Sequence, residues 1–200
     1  IADLAHSTNY ALNKLGYPTH EIEKYNFMVG NGIDKLFERA LPEEEKSKEN
    51  VLRVRKEFVP YYDIHNADDS RPYPGIPELL SYLQDAGVQI AVASNKYQTA
   101  TQKLVDHYFP EIHFTAVFGQ REGVKVKPDP IIVSDILEVD KVAKEEVLYV
   151  GDSGVDMQTA ANAGVTACGV TWGFRPRTEL EKFNPSYIAD TAGEIKKLIL

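Results

Sequence analysis

The sequence predicts an α/β protein in which an all-helical module is followed by a doubly wound parallel sheet. Two observations carry this. From Ile1 to about residue 65, apolar residues recur only at helical spacing, with no strand-like run. From Ile76 onward, short apolar runs alternate with helical stretches of ten or so residues, the pattern of right-handed βαβ units. Between the two, Asn66 to Gly75 (Asp68, Asp69, Ser70, Arg71, Pro72, Pro74) is rich in chain-breaking residues and reads as a linker. The expected division is therefore a helical part over 1–70 and an α/β part over 71–200.

In the first part, Ile1, Leu4, Ala5, Thr8, Ala11, Leu12 and Leu15 make the apolar stripe of an opening helix, which Gly16 and Pro18 end. Thr19 is placed to cap a second helix with Glu21 and Glu23 in its first turn. The loop Phe27-Met28-Val29-Gly30-Asn31-Gly32 breaks that helix, and another runs from Ile33 to Leu41, where Pro42 stops it. Glu43 to about Asp63 reads as one longer helix with Val51, Val54, Phe58 and Tyr61/Tyr62 inside. In the second part, a helix through Leu79, Leu80 and Leu83 ends at Gly87. Val88 to Ala93 is a continuous apolar run, as a strand buried on both faces requires. A helix over Gln98–Tyr108 and a short strand over Thr115–Phe118 follow. Asp129-Pro130 reads as an N-cap with proline at the first helical position, opening a helix to Glu138. Val147–Val150 is a strand, Val155–Ala163 a helix, Val165–Val170 a strand and Gly193–Leu200 a closing helix.

Composition narrows the function. An apolar share of 43% over 200 residues supplies a full core. No apolar run approaches the ~18 residues a membrane span requires, so no membrane partner is expected. The single cysteine, Cys168, cannot form an internal disulfide and lies in an apolar run. With no secretory signal pattern at the start, that favours the cytoplasm, with Cys168 as a buried filler. A net charge of -8 without a basic stripe speaks against nucleic acid as a partner. An anionic substrate would thus need local lysines. The phosphate-binding GKS/GKT loop, the GxGxxG fingerprint and cysteine–histidine metal spacing are all missing, and His6, His20, His65, His107 and His113 share no motif. Monomer and homodimer stay equally open.

In open α/β sheets, ligands bind beyond the carboxyl ends of the strands. One strand ends in Ala93-Ser94-Asn95-Lys96, whose hydroxyl and amide suit a phosphate oxygen, although a turn or N-cap favours the same residues. Lys127, held by Pro128, is placed to offer a compact positive charge, but lysines mostly lie on surfaces. Val147 to Val150 delivers Gly151-Asp152, and Asp156 follows one helical turn on. Two carboxylates so arranged suit a divalent cation, or equally an N-cap and a solvated first-turn Asp. Trp172 and Phe174 are placed near the rim of the crevice.

This succession resembles the haloacid dehalogenase-like phosphatases. Ser94 matches that family's second motif, Lys127 the third, and Asp152 with Asp156 the fourth. Val29-Gly30-Asn31-Gly32 leading to Glu38-Arg39-Ala40-Leu41 is similar to the cap of its phosphoglycolate phosphatases, as are Arg71-Pro72-Tyr73-Pro74-Gly75 and Gly151-Asp152-Ser153-x-x-Asp156 to other parts of them. The resemblance extends across essentially all of the chain. It implies a Rossmann-like core with an inserted helical cap that closes over the active site. It also implies that a small phosphorylated metabolite, phosphoglycolate first, gives its phosphoryl group to an aspartate, and that the acyl phosphate is hydrolysed with Mg²⁺ assisting. Lys127 and Ser94 would hold the phosphoryl oxygens, with Asn95 a lesser candidate. Asp152 would ligate Mg²⁺, and Asp156 would support it directly or through water. Gly30, Asn31, Gly32 and Arg39 would meet the leaving group. Arg39 could pair with a substrate carboxylate, or with Asp34 or Glu43 as a solvated helix residue.

One departure stands out. The family's first motif, an Asp-x-Asp at the end of a strand between those ending in Ser94 and Asp152, supplies the nucleophile and the general acid/base, and it has no match here. Asp3 lies on the opening helix and has no Asp two residues away. The resemblance therefore implies a strand-and-loop segment ahead of Ile1, without which the sheet would be split and left with unpaired edges. The alternatives are a sugar-phosphate mutase resembling beta-phosphoglucomutase, against which Asp156 speaks, and a non-catalytic phosphate-binding module.

Overall fold

The computed structural model describes residues 1–199. They fall into two compact units, Ile1–Arg71 and Pro72–Leu200.

The first unit is helical: α1 (Ala2–Lys14), a 3-10 segment over Ile22–Phe27, α2 (Ile33–Ala40), a short 3-10 turn over Glu43–Glu45, and α3 (Lys48–His65). Leu12, Tyr25, Leu36, Phe37, Val54 and Phe58 are fully or almost fully buried. The ring of Phe58 meets Phe37 edge-on at 4.9 Å and stacks on Tyr62 at 5.0 Å. Two sequence expectations fail here for visible reasons. The helix expected from Thr19 is only the 3-10 segment, because the backbone of His20 is committed to Asn9. The His20 N–H donates to Asn9 Oδ1 at 3.0 Å, and Asn9 Nδ2 donates to the His20 carbonyl at 2.8 Å. The single helix expected over Glu43–Asp63 is interrupted at Ser47, whose Oγ accepts the Asn50 N–H and caps α3. Val51 and Tyr61, expected inside, are half-buried. Tyr61 instead stacks on Tyr10 of α1 at 3.9 Å.

Asp3, a first-turn residue of α1, is 3% exposed and binds the far end of the same unit. Its carboxylate accepts from the Asp69 N–H (2.8 Å), the Ser70 N–H (2.9 Å) and the Ser70 hydroxyl (2.6 Å).

The second unit holds α4 (Ile76–Asp85), β1 (Ala91–Tyr97), α5 (Gln98–Tyr108), β2 (Ala116–Gln120), α6 (Ile131–Asp140), β3 (Leu148–Gly151), α7 (Gly154–Ala163), β4 (Thr166–Val170), α8 (Arg177–Leu180), β5 (Tyr187–Ala189) and α9 (Ala192–Ile199). Every ladder is parallel, as the alternating pattern requires. Among the described residues the strands form two pieces, β1-β2 and β3-β4-β5. Apolar packing spans both pieces. Ile132 and Val133 of α6 join Tyr149, Met157, Val165 and Leu180, with Ala93 and Phe118 packed against them. A second cluster joins Leu79 and Leu83 to Cys168, Val170, Ala189 and Ile195. Cys168 is fully buried and unpaired, as the filler role expects.

β1 begins at Ala91 rather than Val88 and runs on through Ser94 and Asn95, so these two lie inside the strand. The Val88 N–H is spent instead on the Leu83 carbonyl, closing α4 with Gly87 at φ +76°. The cap of α6 is Pro130, not Asp129, although Asp129 Oδ1 accepts the Ile131 N–H. α7 is capped by Ser153. β5 and α8 had no sequence signal, β5 being only three residues long. α9 begins at Ala192, and Leu200, expected at the end of the closing helix, lies outside the described residues. No helix among the described residues is long and apolar enough to cross a membrane.

Asp3→Ala should lower stability by about 1–3 kcal/mol, because two backbone N–H groups lose a charged acceptor. A fall in the urea midpoint with an unchanged m-value is the expected result.

Candidate active site

Lys127 is the centre of the polar cluster in the α/β unit. The Asn95 carboxamide clamps its backbone from β1: Asn95 Oδ1 accepts the Lys127 N–H at 2.8 Å, and Asn95 Nδ2 donates to the Lys127 carbonyl at 3.1 Å. The Lys127 ammonium donates to the Ala93 carbonyl at 2.9 Å and to Asp156 Oδ1 at 2.8 Å. The side chains of Lys127 and Asp156 are 11% and 10% exposed, so this is a buried ion pair. Asp156 lies in the first turn of α7, where the helix dipole favours a carboxylate. Its Oδ2 accepts from the Ser153 hydroxyl at 2.6 Å, and its Oδ1 also accepts from the Tyr149 hydroxyl at 3.2 Å. Burial alone would drive Lys127 to shed its proton and Asp156 to take one up. The facing groups win in both cases: Tyr149 and Asp156 hold the Lys127 pKa above its ordinary value, and Lys127 with its hydrogen bond holds that of Asp156 below.

Asp152 is held differently. One carboxylate oxygen accepts the Phe174 N–H at 2.9 Å. Burial pushes its pKa up; the Phe174 N–H opposes this, while the neighbouring Asp156 charge adds to it. Burial also pushes up the pKa of Tyr73, and the Asp152 charge adds to that rise. The two carboxylates can pack here because glycines leave room. A Cβ on Gly151 would meet Asp156 Cβ at 2.2 Å, and one on Gly173 would meet Asp152 Oδ2 at 2.2 Å. Ser94 Oγ accepts the Lys96 N–H at 3.0 Å. Phe174 is 42% exposed, and Trp172 packs against the second apolar cluster.

The remaining candidates gather in the helical unit. Gly30 and Gly32 have φ of +115° and +83°, a backbone that side-chain-bearing residues rarely adopt. Arg39 donates to the Met28 carbonyl at 2.7 Å and to Asn31 Oδ1 at 2.8 Å. It therefore braces the loop between them. Asp34 is taken by Arg55 at 3.2 Å and Glu43 by Lys46 at 2.6 Å, so neither of the partners expected for Arg39 is the one it uses.

Sequence reasoning gave no role to Tyr149, Ser153, Gly173 or the Ala93 carbonyl. Ser153-x-x-Asp156 carried a legible capping signal. A tyrosine inside a buried strand gave a weaker one. The Ala93 carbonyl and the Gly173 approach left none, because both depend on tertiary geometry.

The α/β unit thus holds a buried Lys–Asp pair with a second carboxylate after a strand. The chain belongs to the haloacid dehalogenase-like hydrolase family, whose model matches residues 2–170. A crystal structure from Lactobacillus delbrueckii subsp. bulgaricus, provisionally named a phosphoglycolate phosphatase, superposes with a TM-score of 0.91 at 32% identity, covering 100% of this chain and 92% of that one. The phosphoglycolate phosphatase of Vibrio parahaemolyticus is 29% identical over 100% of this chain and 90% of its own length. That of Mesorhizobium japonicum is 29% identical over 93% of this chain and 82% of its own length.

Asp156→Ala should cost about 3–5 kcal/mol, since it strands a buried ammonium. The contribution of the pair is fully present between the ordinary values of the two groups, about 4 and about 10. It is lost as pH falls through the lowered Asp156 value, or rises through the raised Lys127 value. Chemical denaturation across pH should therefore show the gap between wild type and Asp156→Ala closing in strong acid and in strong alkali.

Proposed function

We propose that the protein is a Mg²⁺-dependent phosphatase of small phosphate monoesters, with phosphoglycolate as its foremost substrate. One observation supports this most: a buried ammonium, Lys127, fixed at both backbone and side chain beside two carboxylates. Phosphoryl transfer depends on positioning and on neutralising charge at the phosphoryl oxygens. Lys127 offers that charge as a fixed point rather than a mobile surface group, and the Ser94 hydroxyl is assigned to donate beside it. Asn95 serves this site by clamping Lys127 more than by touching phosphate.

The residues fit a magnesium ion sparingly. Among the described residues no three His, Cys, Asp or Glu side chains converge as a metal cage. Mg²⁺ commonly binds through one or two carboxylates and keeps several waters, which suits Asp152. The raised Asp152 pKa fits a carboxylate that is best charged beside a cation. Asp156, with both oxygens taken by protein donors, supports the site through Lys127. When bound, the ion would supply charge neutralisation at the transferring group. The described residues provide this phosphate-binding side of the chemistry and not its nucleophile. Residues 1–70 are assigned as a cap and 71–200 as the core, with the loop braced by Arg39 as the place where the leaving group is selected. The lone buried thiol supports a cytoplasmic setting.

Phosphate release by the protein at its natural length, from phosphoglycolate, pyrophosphate, sugar phosphates and nucleotides, tests the reading. Phosphoglycolate should be turned over fastest, and EDTA should abolish release until Mg²⁺ is restored. Asp152→Asn and Lys127→Ala should each lower kcat/KM by roughly 10²–10³-fold. Full activity in either variant would sink the assignment, and phosphate binding without hydrolysis would make the protein a binding module.

A further inference from the structure

Tyr149 is a buried polar group for which phosphate chemistry has so far found no use. It lies in β3 with 9% of its surface exposed, in a cluster otherwise built from Ile132, Val133, Met157, Val165, Leu180 and alanines. Phenylalanine would fill that space without burying a hydroxyl, which costs free energy unless it is hydrogen-bonded. The hydroxyl has a specific destination. It donates to Asp156 Oδ1, the same oxygen that receives the Lys127 ammonium.

We infer that Tyr149 is a positioning residue for phosphate binding, keeping Asp156 satisfied while Lys127 shares its charge with a substrate phosphate. The inference rests on the phosphatase reading above. An anion arriving at Lys127 competes with Asp156 for the ammonium. Loosening a buried ion pair ordinarily leaves the carboxylate uncompensated, which is strongly unfavourable. Here both carboxylate oxygens keep a neutral donor if the ammonium leans away: Tyr149 on Oδ1 and Ser153 on Oδ2, the latter at 2.6 Å. Lys127 in turn has three N–H donors, with Ala93 O and Asp156 Oδ1 as the partners of two. The site can therefore redirect positive charge without orphaning a buried negative one. Tyr149 stays a donor throughout the physiological range, as a phenol does.

Calorimetric titration with inorganic phosphate in the presence of Mg²⁺ tests this on wild type, Tyr149→Phe and Val133→Ala. Val133→Ala thins the same apolar cluster and leaves every hydrogen bond in place. Tyr149→Phe should weaken phosphate about tenfold, the order expected for losing a hydrogen bond to a charged group. Val133→Ala should lower the thermal midpoint and leave phosphate affinity unchanged. Wild-type affinity in Tyr149→Phe, or an equal loss in Val133→Ala, overturns the inference and leaves the phosphatase reading standing. A wild-type protein that does not bind phosphate removes both. Should Tyr149→Phe fold poorly, Ser153→Ala examines the same support from the other oxygen: weaker phosphate binding is expected, and unchanged binding overturns the inference.

Discussion

The ammonium of Lys127 lies between two pieces of sheet that share no backbone ladder among the described residues. It reaches the Ala93 carbonyl in β1 and the Asp156 carboxylate beyond the end of β3. A backbone carbonyl at a strand edge with no neighbouring N–H must find another donor, and a charged one is the strongest available. Lys127 thereby ties the two pieces of sheet together. Its placement follows from the Asn95 clamp, which ties the loop ahead of α6 to the same strand. The α/β unit is thus assembled around one positive charge in a chain whose net charge is -8.

The surroundings of that charge show how the fold makes a buried ion pair tolerable. Taking two charges out of water is costly, and their attraction repays it only where the remaining hydrogen-bonding groups are also satisfied. Asp156 meets that condition through Ser153, Tyr149 and its position at a helix N-terminus. Asp152 meets it less fully, and its raised pKa records the difference. Two carboxylates four residues apart are consequently held differently, Asp156 by an ammonium and two hydroxyls and Asp152 by the Phe174 N–H.

Much of this was legible in the residues. The βαβ alternation, the helical character of the first part and the strand that delivers Asp152 follow from periodicity and turn chemistry, which are local properties. The errors came where a distant side chain decided a local outcome. Asn9 captured the backbone of His20 and prevented a helix that Thr19 could have started. Arg39 found the Met28 carbonyl and Asn31 across a loop rather than an acidic residue on its own helix. Tyr149 looked like any strand aromatic, because the partner that gives its hydroxyl meaning is set by how α7 follows β3.

The three bonds from Asp3 to Asp69 and Ser70 fasten the first helix of the helical unit to its last residues. A unit whose first and last elements are fastened together keeps its closure within itself. Its internal loops can be lengthened or shortened without parting those two elements. A single carboxylate thus closes the helical unit and leaves its internal loops free to diverge.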